Sequence, residues 1–271
     1  MNTNTLPLVI EPDVLENSLG YENLLIVDLS RPENYRKMHV PGAVHLDYPQ
    51  IIAVSRPAMG LVPDDDTLAR VFSALGIDEH THVVAYDDEG GGRAARLLWT
   101  LEVAGHEHYS LLNGGLHAWV NEGHPLETSA ATPSARTFHV RRNNAPLADS
   151  AYISARLGSD DCCLLDARSP DEYNGIKKYA DRAGHIPGAV NLEWTQAIDP
   201  GRNMRLKTNE ELTALLSPLG ITADKEVITY CQTHHRSAHT YLMLRQLGFE
   251  NVKGYAGSWS DWGNNPDLPV E

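Results

Sequence analysis

Of the three cysteines in this 271-residue chain, Cys231 is the one placed where a sulfur could react. It opens the stretch Cys231-Gln232-Thr233-His234-His235-Arg236-Ser237, behind an apolar β-type run (Glu226 to Tyr230) and ahead of a helical one (Ala238 to Leu247). A cysteine between strand and helix sits at the C-terminal edge of a parallel sheet, where α/β folds keep their chemistry. If the loop curls around the sulfur, backbone N–H groups and the helix N-terminus point at it. His234, His235 and Arg236 add further donors. An ordinary thiol, with a pKa of ~8.5, is about 3% thiolate at pH 7, whereas a pKa of ~6.5 gives roughly three-quarters. The loop therefore predicts an anionic, nucleophilic sulfur. A core cysteine beside a surface turn is the plainer reading, and it fits poorly with so polar and cationic a loop. A metal site built from Cys231, His234, His235 and His239 is disfavoured, because the ligands do not follow Cys-x2-Cys or His-x3-His spacing.

The elements that must position Cys231 occur twice. Ile26-Val-Asp28-Leu-Ser-Arg-Pro32-Glu-Asn-Tyr35 matches Leu164-Leu-Asp166-Ala-Arg-Ser-Pro170-Asp-Glu-Tyr173, and His39-Val-Pro-Gly-Ala-Val-His-Leu46 matches His185-Ile-Pro-Gly-Ala-Val-Asn-Leu192. Leu75-Gly-Ile77, Val83-Val-Ala-Tyr86 and Gly114-Gly-Leu-His-Ala-Trp119 pair with Leu219-Gly-Ile221, Val227-Ile-Thr-Tyr230 and Gly257-Ser-Trp-Ser-Asp-Trp262. The same order at nearly constant spacing means two copies of one domain, since a solenoid needs shorter and more numerous repeats. Each copy alternates short β-branched runs with amphipathic helical ones, the α/β pattern. Asp64-Asp-Asp66 caps a helix with an apolar face of Leu68, Val71, Phe72 and Leu75, ended by Gly76. Thr208 or Asn209 caps its counterpart, with Leu212, Leu215, Leu216 and Leu219 before Gly220. The expected domains are residues 1–124 and 151–271, joined by an extended linker at 125–150 that is rich in Ala, Thr, Ser, Pro and Asn. The second copy carries extra residues from Gly175 to Arg182.

The copies differ at the loop. Asp87 stands where the second copy has Cys231, followed by Asp88-Glu89-Gly90-Gly91-Gly92-Arg93. A carboxylate cannot do thiolate chemistry, so the first copy reads as non-catalytic. Its glycine run lacks the Lys-Ser/Thr of a phosphate cradle, and its three acids would repel an anion. Arg168, two residues after Asp166, is replaced by Ser30 in the first copy, which makes it a candidate anion contact. Cys162 and Cys163 run into Leu164-Leu165 and read as strand residues; His39 and His185 read as turn-holding, and Trp259 and Trp262 as packing.

Tyr35-Arg-Lys-Met-His39-Val-Pro-Gly-Ala43 and Tyr255-Ala-Gly-Ser-Trp259-Ser-Asp-Trp262 resemble the two signatures of the rhodanese family, with Asp261 where glutamate is usual. The loop resembles that of bacterial two-domain members, and the likeness covers nearly the whole chain. It implies two tandem rhodanese-like domains, each a parallel sheet flanked by helices, with only the second catalytic. It implies that Cys231 takes a sulfane sulfur from thiosulfate, holds it as a persulfide and passes it to cyanide or another thiophilic acceptor. Gln232, Thr233, His234, His235, Arg236 and Arg168 would bind the donor. No metal or organic cofactor is implied. Mercaptopyruvate-using relatives carry Gly-Ser-Gly after the cysteine and a second arginine where this chain has Glu172, which favours thiosulfate. Another persulfide donor, or a carrier role with a sulfur-accepting protein as partner, stays open. Phosphatases of similar fold need Cys-x5-Arg, and Cys231 to Arg236 is one residue short.

The totals read as a soluble globular protein. A net charge of −14 argues against nucleic-acid or anionic-membrane partners. Three cysteines cannot form a disulfide framework, which suits a reducing compartment. The start, Met1-Asn-Thr-Asn-Thr5, has no charged region before a long apolar run, so no secretory signal is read and the cytoplasm is expected.

Overall fold

The computed structural model describes residues 6–271; residues 1–5, on which the reading of a signal-free start depends, lie outside them. In chain order the first copy forms β1 (Val9–Ile10), α1 (Pro12–Glu16), β2 (Leu24–Asp28), α2 (Pro32–Lys37) and β3 (Val44–His45). Next come β4 (Ala53–Ser55), β5 (Ala58–Leu61), α3 (Asp65–Leu75), β6 (His82–Tyr86), α4 (Gly92–Val103), β7 (Tyr109–Leu112) and α5 (Gly115–Asn121). The second copy begins with β8 (Leu147–Ala148), α6 (Ser150–Ser154), β9 (Cys162–Asp166), α7 (Pro170–Tyr173) and β10 (Val190–Asn191). It continues with β11 (Ile198–Asp199), β12 (Arg205–Leu206), α8 (Asn209–Leu216), β13 (Glu226–Tyr230), α9 (Arg236–Gln246), β14 (Val252–Tyr255) and α10 (Ser258–Trp262).

Each copy builds a five-stranded parallel sheet with the same order, β1-β7-β6-β2-β3 in the first and β8-β14-β13-β9-β10 in the second. The central strands β6 and β13 are buried almost throughout rather than on alternate residues, as expected when helices cover both faces. Both loops under discussion therefore leave the C-terminal end of a central strand. Helix α3 starts where Asp64 accepts the N–H of Thr67 at 2.7 Å, ends at left-handed Gly76, and buries Leu68, Val71, Phe72 and Leu75. Its counterpart α8 starts with a capping box between Thr208 and Glu211. There Leu212 and Leu216 are buried while Leu215 and Leu219 are only half-buried, because Ser217–Leu219 tightens into a 3-10 turn around Pro218.

The described residues pack into two compact units, each assembled from more than one stretch of the chain. One compact unit comprises the described residues up to Ile51 together with Pro63–Asn143 and Asp199–Leu206; the other comprises Ile52–Val62, Asn144–Ile198 and Lys207–Glu271. The antiparallel pair β4–β5 thus belongs with the cysteine-bearing sheet. The expected linker is extended, but much of it is pinned to the first unit: Glu127 to His39, Arg136 to Ser73, Arg141 to Ala104 and Asn143 to Val103, all through backbone hydrogen bonds of 2.8–3.0 Å. Its last residues form β8, an edge strand beside β14. Among the described residues no helix is long and apolar enough to cross a membrane.

Candidate active site

Cys231 follows β13 directly and is 1% exposed. The N–H groups of Thr233 and Ser237 and the Ser237 hydroxyl all hydrogen-bond its sulfur. The turn is tight enough to require left-handed backbone at His234, φ 53°. Helix α10 brackets the loop from outside. The Ser258 hydroxyl accepts the N–H of Cys231 (3.2 Å) and of His234 (3.1 Å), Trp259 N–H donates to the Cys231 carbonyl (2.9 Å), and Ser260 N–H donates to that of Gln232 (3.0 Å). Burial pushes the thiol up, yet the charge of Arg236 and the donors of Ser237 and Thr233 outweigh it and bring the pKa down to about 7. The loop thus shifts the sulfur toward thiolate at neutral pH.

Arg236 is held by a residue missing from the candidate set. Its two terminal nitrogens donate to the Glu172 carboxylate at 2.6 and 2.8 Å, a bidentate pair. Glu172 in turn closes a capping box with Ser169, taking its N–H at 3.1 Å and its hydroxyl at 3.0 Å. Burial would raise the Glu172 carboxyl, but Arg236 and Ser169 hold it at about 2. The pattern Ser169-x-x-Glu172 was the available signal, and it reads first as a helix start. Ser237 and Ser258 lie inside the quoted loop and signature but were not among the candidates, because a serine there shows its role only once the loop curls.

The other candidates are placed differently. Arg168 is buried, with its guanidinium on Asp166 (2.5–3.0 Å) and the Gly184 carbonyl (2.8 Å) and stacked 4.5 Å over the Trp259 ring. It braces the end of the sheet beside the loop. Gln232 ties its amide to the Tyr179 carbonyl at 3.0 Å, within the insertion peculiar to the second copy. His234 is fully buried with Nδ1 2.8 Å from the Ser237 hydroxyl, which makes it a scaffold for Ser237 rather than an outward donor. His235 is half-buried beside Trp194, ring centroids 5.9 Å apart. Cys162 and Cys163 lie in β9, and burial pushes the Cys162 thiol up to about 12 with help from the Glu226 charge. His39 and His185 bond the carbonyls of Tyr35 (2.7 Å) and Tyr173 (2.9 Å).

The first copy wraps the same loop around Asp87. Its carboxylate accepts the N–H groups of Glu89 (3.0 Å), Gly91 (2.8 Å) and Ala94 (3.0 Å). The loop's N–H groups are thus occupied by its own side chain.

Both halves, residues 11–122 and 149–265, match the rhodanese-like domain. The chain belongs to the rhodanese family. Among its rhodanese relatives, a thiosulfate sulfurtransferase of Pseudomonas aeruginosa is 47% identical over 266 residues, 98% of this chain and 97% of that protein. The sulfur carrier protein TtuD of Thermus thermophilus is 36% identical over 253 residues, 87% of this chain and 86% of that one. The crystal structure of YnjE matches with a TM-score of 0.87 over 100% of this chain and 69% of that chain; at 22% identity this shows the fold.

Proposed function

We propose that this rhodanese moves a sulfane sulfur from thiosulfate to a thiophilic acceptor through a persulfide on Cys231. The observation that carries the reading is the thiol itself, enclosed by N–H donors beside Arg236 and held near pKa 7. The Cys231 thiolate attacks the outer sulfur of thiosulfate; the sulfur–sulfur bond breaks and sulfite leaves with the electron pair. Cyanide, or another thiophile, then attacks the outer sulfur of the persulfide and regenerates the thiolate. Every species at the sulfur is anionic, which is what converging N–H groups and a nearby guanidinium stabilise. The covalent intermediate makes the kinetics ping-pong. Cysteine is the only carrier this cycle uses, with no metal or organic cofactor. Thiosulfate is favoured over mercaptopyruvate because Glu172, engaged with Arg236, stands where mercaptopyruvate-using relatives carry a second arginine.

Delivery to a protein acceptor is the second reading. The TtuD relative favours it, as do Ile176 and Tyr179, 74% and 63% exposed on the insertion that Gln232 grips. Thiocyanate formation from thiosulfate and cyanide, followed for wild type and Cys231→Ala, tests the proposal. Sustained turnover in wild type and none in the variant is expected; turnover that survives the alanine overturns it. A single turnover that then stalls with cyanide favours delivery to a protein.

A further inference from the structure

Gly115 and Ser258 hold equivalent places in the two copies. Each precedes the residue whose N–H meets the carbonyl of the first loop residue, Leu116 to Asp87 at 3.0 Å and Trp259 to Cys231 at 2.9 Å. Both are left-handed, φ 52° and φ 50°. Glycine adopts that conformation freely, whereas a β-carbon strains it. In the first copy a β-carbon would stand 2.5 Å from the Asp87 carbonyl oxygen, and glycine avoids the clash. The second copy places a serine there, fully buried. The serine hydroxyl is completely engaged: it accepts the N–H groups of Cys231 and His234 and donates to the Tyr255 carbonyl at 2.7 Å.

The difference follows from what each loop encloses. The first is held by the Asp87 side chain, which accepts three of its N–H groups. Sulfur is a weaker acceptor, and under the sulfur-carrier reading of Cys231 the group at the loop centre alternates between thiolate and persulfide. We propose that Ser258 is a positioning residue for sulfur transfer, its hydroxyl keeping the loop curled whatever sits on Cys231, so that the Thr233 and Ser237 donors stay aimed at the sulfur. The strained backbone is then the condition for presenting a hydroxyl where the inert copy needs only glycine.

Ser258→Gly removes the hydroxyl and the strain; Ser258→Ala removes the hydroxyl alone. Both variants should lose about tenfold or more in sulfur transfer. In both, the pH midpoint of Cys231 alkylation should rise from near 7 toward the ordinary thiol value of ~8.5. Ser258→Gly should melt no lower than Ser258→Ala. A merely structural serine would change the melting temperature and leave the alkylation midpoint in place, and that result overturns the proposal. So does wild-type transfer by Ser258→Gly. The alkylation readout needs no turnover, so failure of the sulfur-carrier reading, seen as transfer by Cys231→Ala, is a separate result.

Discussion

At Cys231, several modest effects oppose one large one. Burial disfavours the thiolate, and only the sum of Arg236 with the Ser237 and Thr233 donors turns the balance. The three cysteines should therefore separate cleanly. Cys231 should react with a small alkylating agent along a titration centred near pH 7, whereas Cys162, raised to about 12 by burial and Glu226, should stay inert below pH 9. Equal labelling of all three in the native protein would contradict the loop geometry. Arg236→Ala removes the strongest of the lowering influences and leaves Glu172 without its partner. A charge-assisted contact is worth roughly 1.5–3 kcal/mol, so transfer should fall about 10- to 150-fold at pH 7. Part of that loss should return on going to pH 9, because what is missing is thiolate. Loss that is identical at both pH values would assign Arg236 to donor contact instead. These residue-scale roles were unevenly legible. The cysteine, the arginine and Ser237 stand in one short stretch, while Glu172 and Ser258 reach the loop from elsewhere in the chain through folded geometry that spacing does not encode.

The capping box of α7 and the loop of the first copy are element-scale devices. Glu172 has its carboxyl held at about 2, below its ordinary 4.5. A depressed carboxyl stabilises the fold above its unfolded value and loses that contribution as pH falls through the folded one. Glu172 should thus contribute on the order of 3 kcal/mol at neutral pH, lost between about pH 4.5 and 2. Glu172→Gln should flatten the acid limb of a pH–stability curve over that window, and an unchanged limb would deny the ion pair its role. In the first copy, Asp87→Cys deletes an acceptor of three N–H groups and puts a thiol where Gly92, not arginine, holds the position equivalent to Arg236. Sulfur loading of that variant by thiosulfate should stay at one sulfur per chain; two would contradict the account of why this copy is inert. Paired strands, helix caps and the replacement of Cys231 by Asp87 could be read from the duplicated sequence because each is encoded locally. The Asp87 cradle could not, since side-chain charge says nothing about which way backbone N–H groups point.

On the scale of the whole molecule, a stretch from the first half of the chain is built into the unit that carries Cys231. Gly60, in β5, lies against the Thr233 backbone so closely that a β-carbon would stand 2.1 Å from the Thr233 carbonyl oxygen. Met59 N–H donates to the Ser260 hydroxyl at 3.0 Å. No periodicity in residues 53–61 announces this. Gly60→Ala should force Thr233 to move and lower transfer about tenfold or more, with the first unit unaffected; a fully active Gly60→Ala would mean the loop tolerates the shift. All of these effects converge on one sulfur. The most direct measurement is the intact mass of the protein after thiosulfate and again after cyanide, with the site located by peptide mapping. The account predicts a gain of one sulfur atom at Cys231, removed by cyanide and absent in Cys231→Ala. A sulfur found on Cys162 or Cys163, or gained equally by the alanine variant, would contradict it.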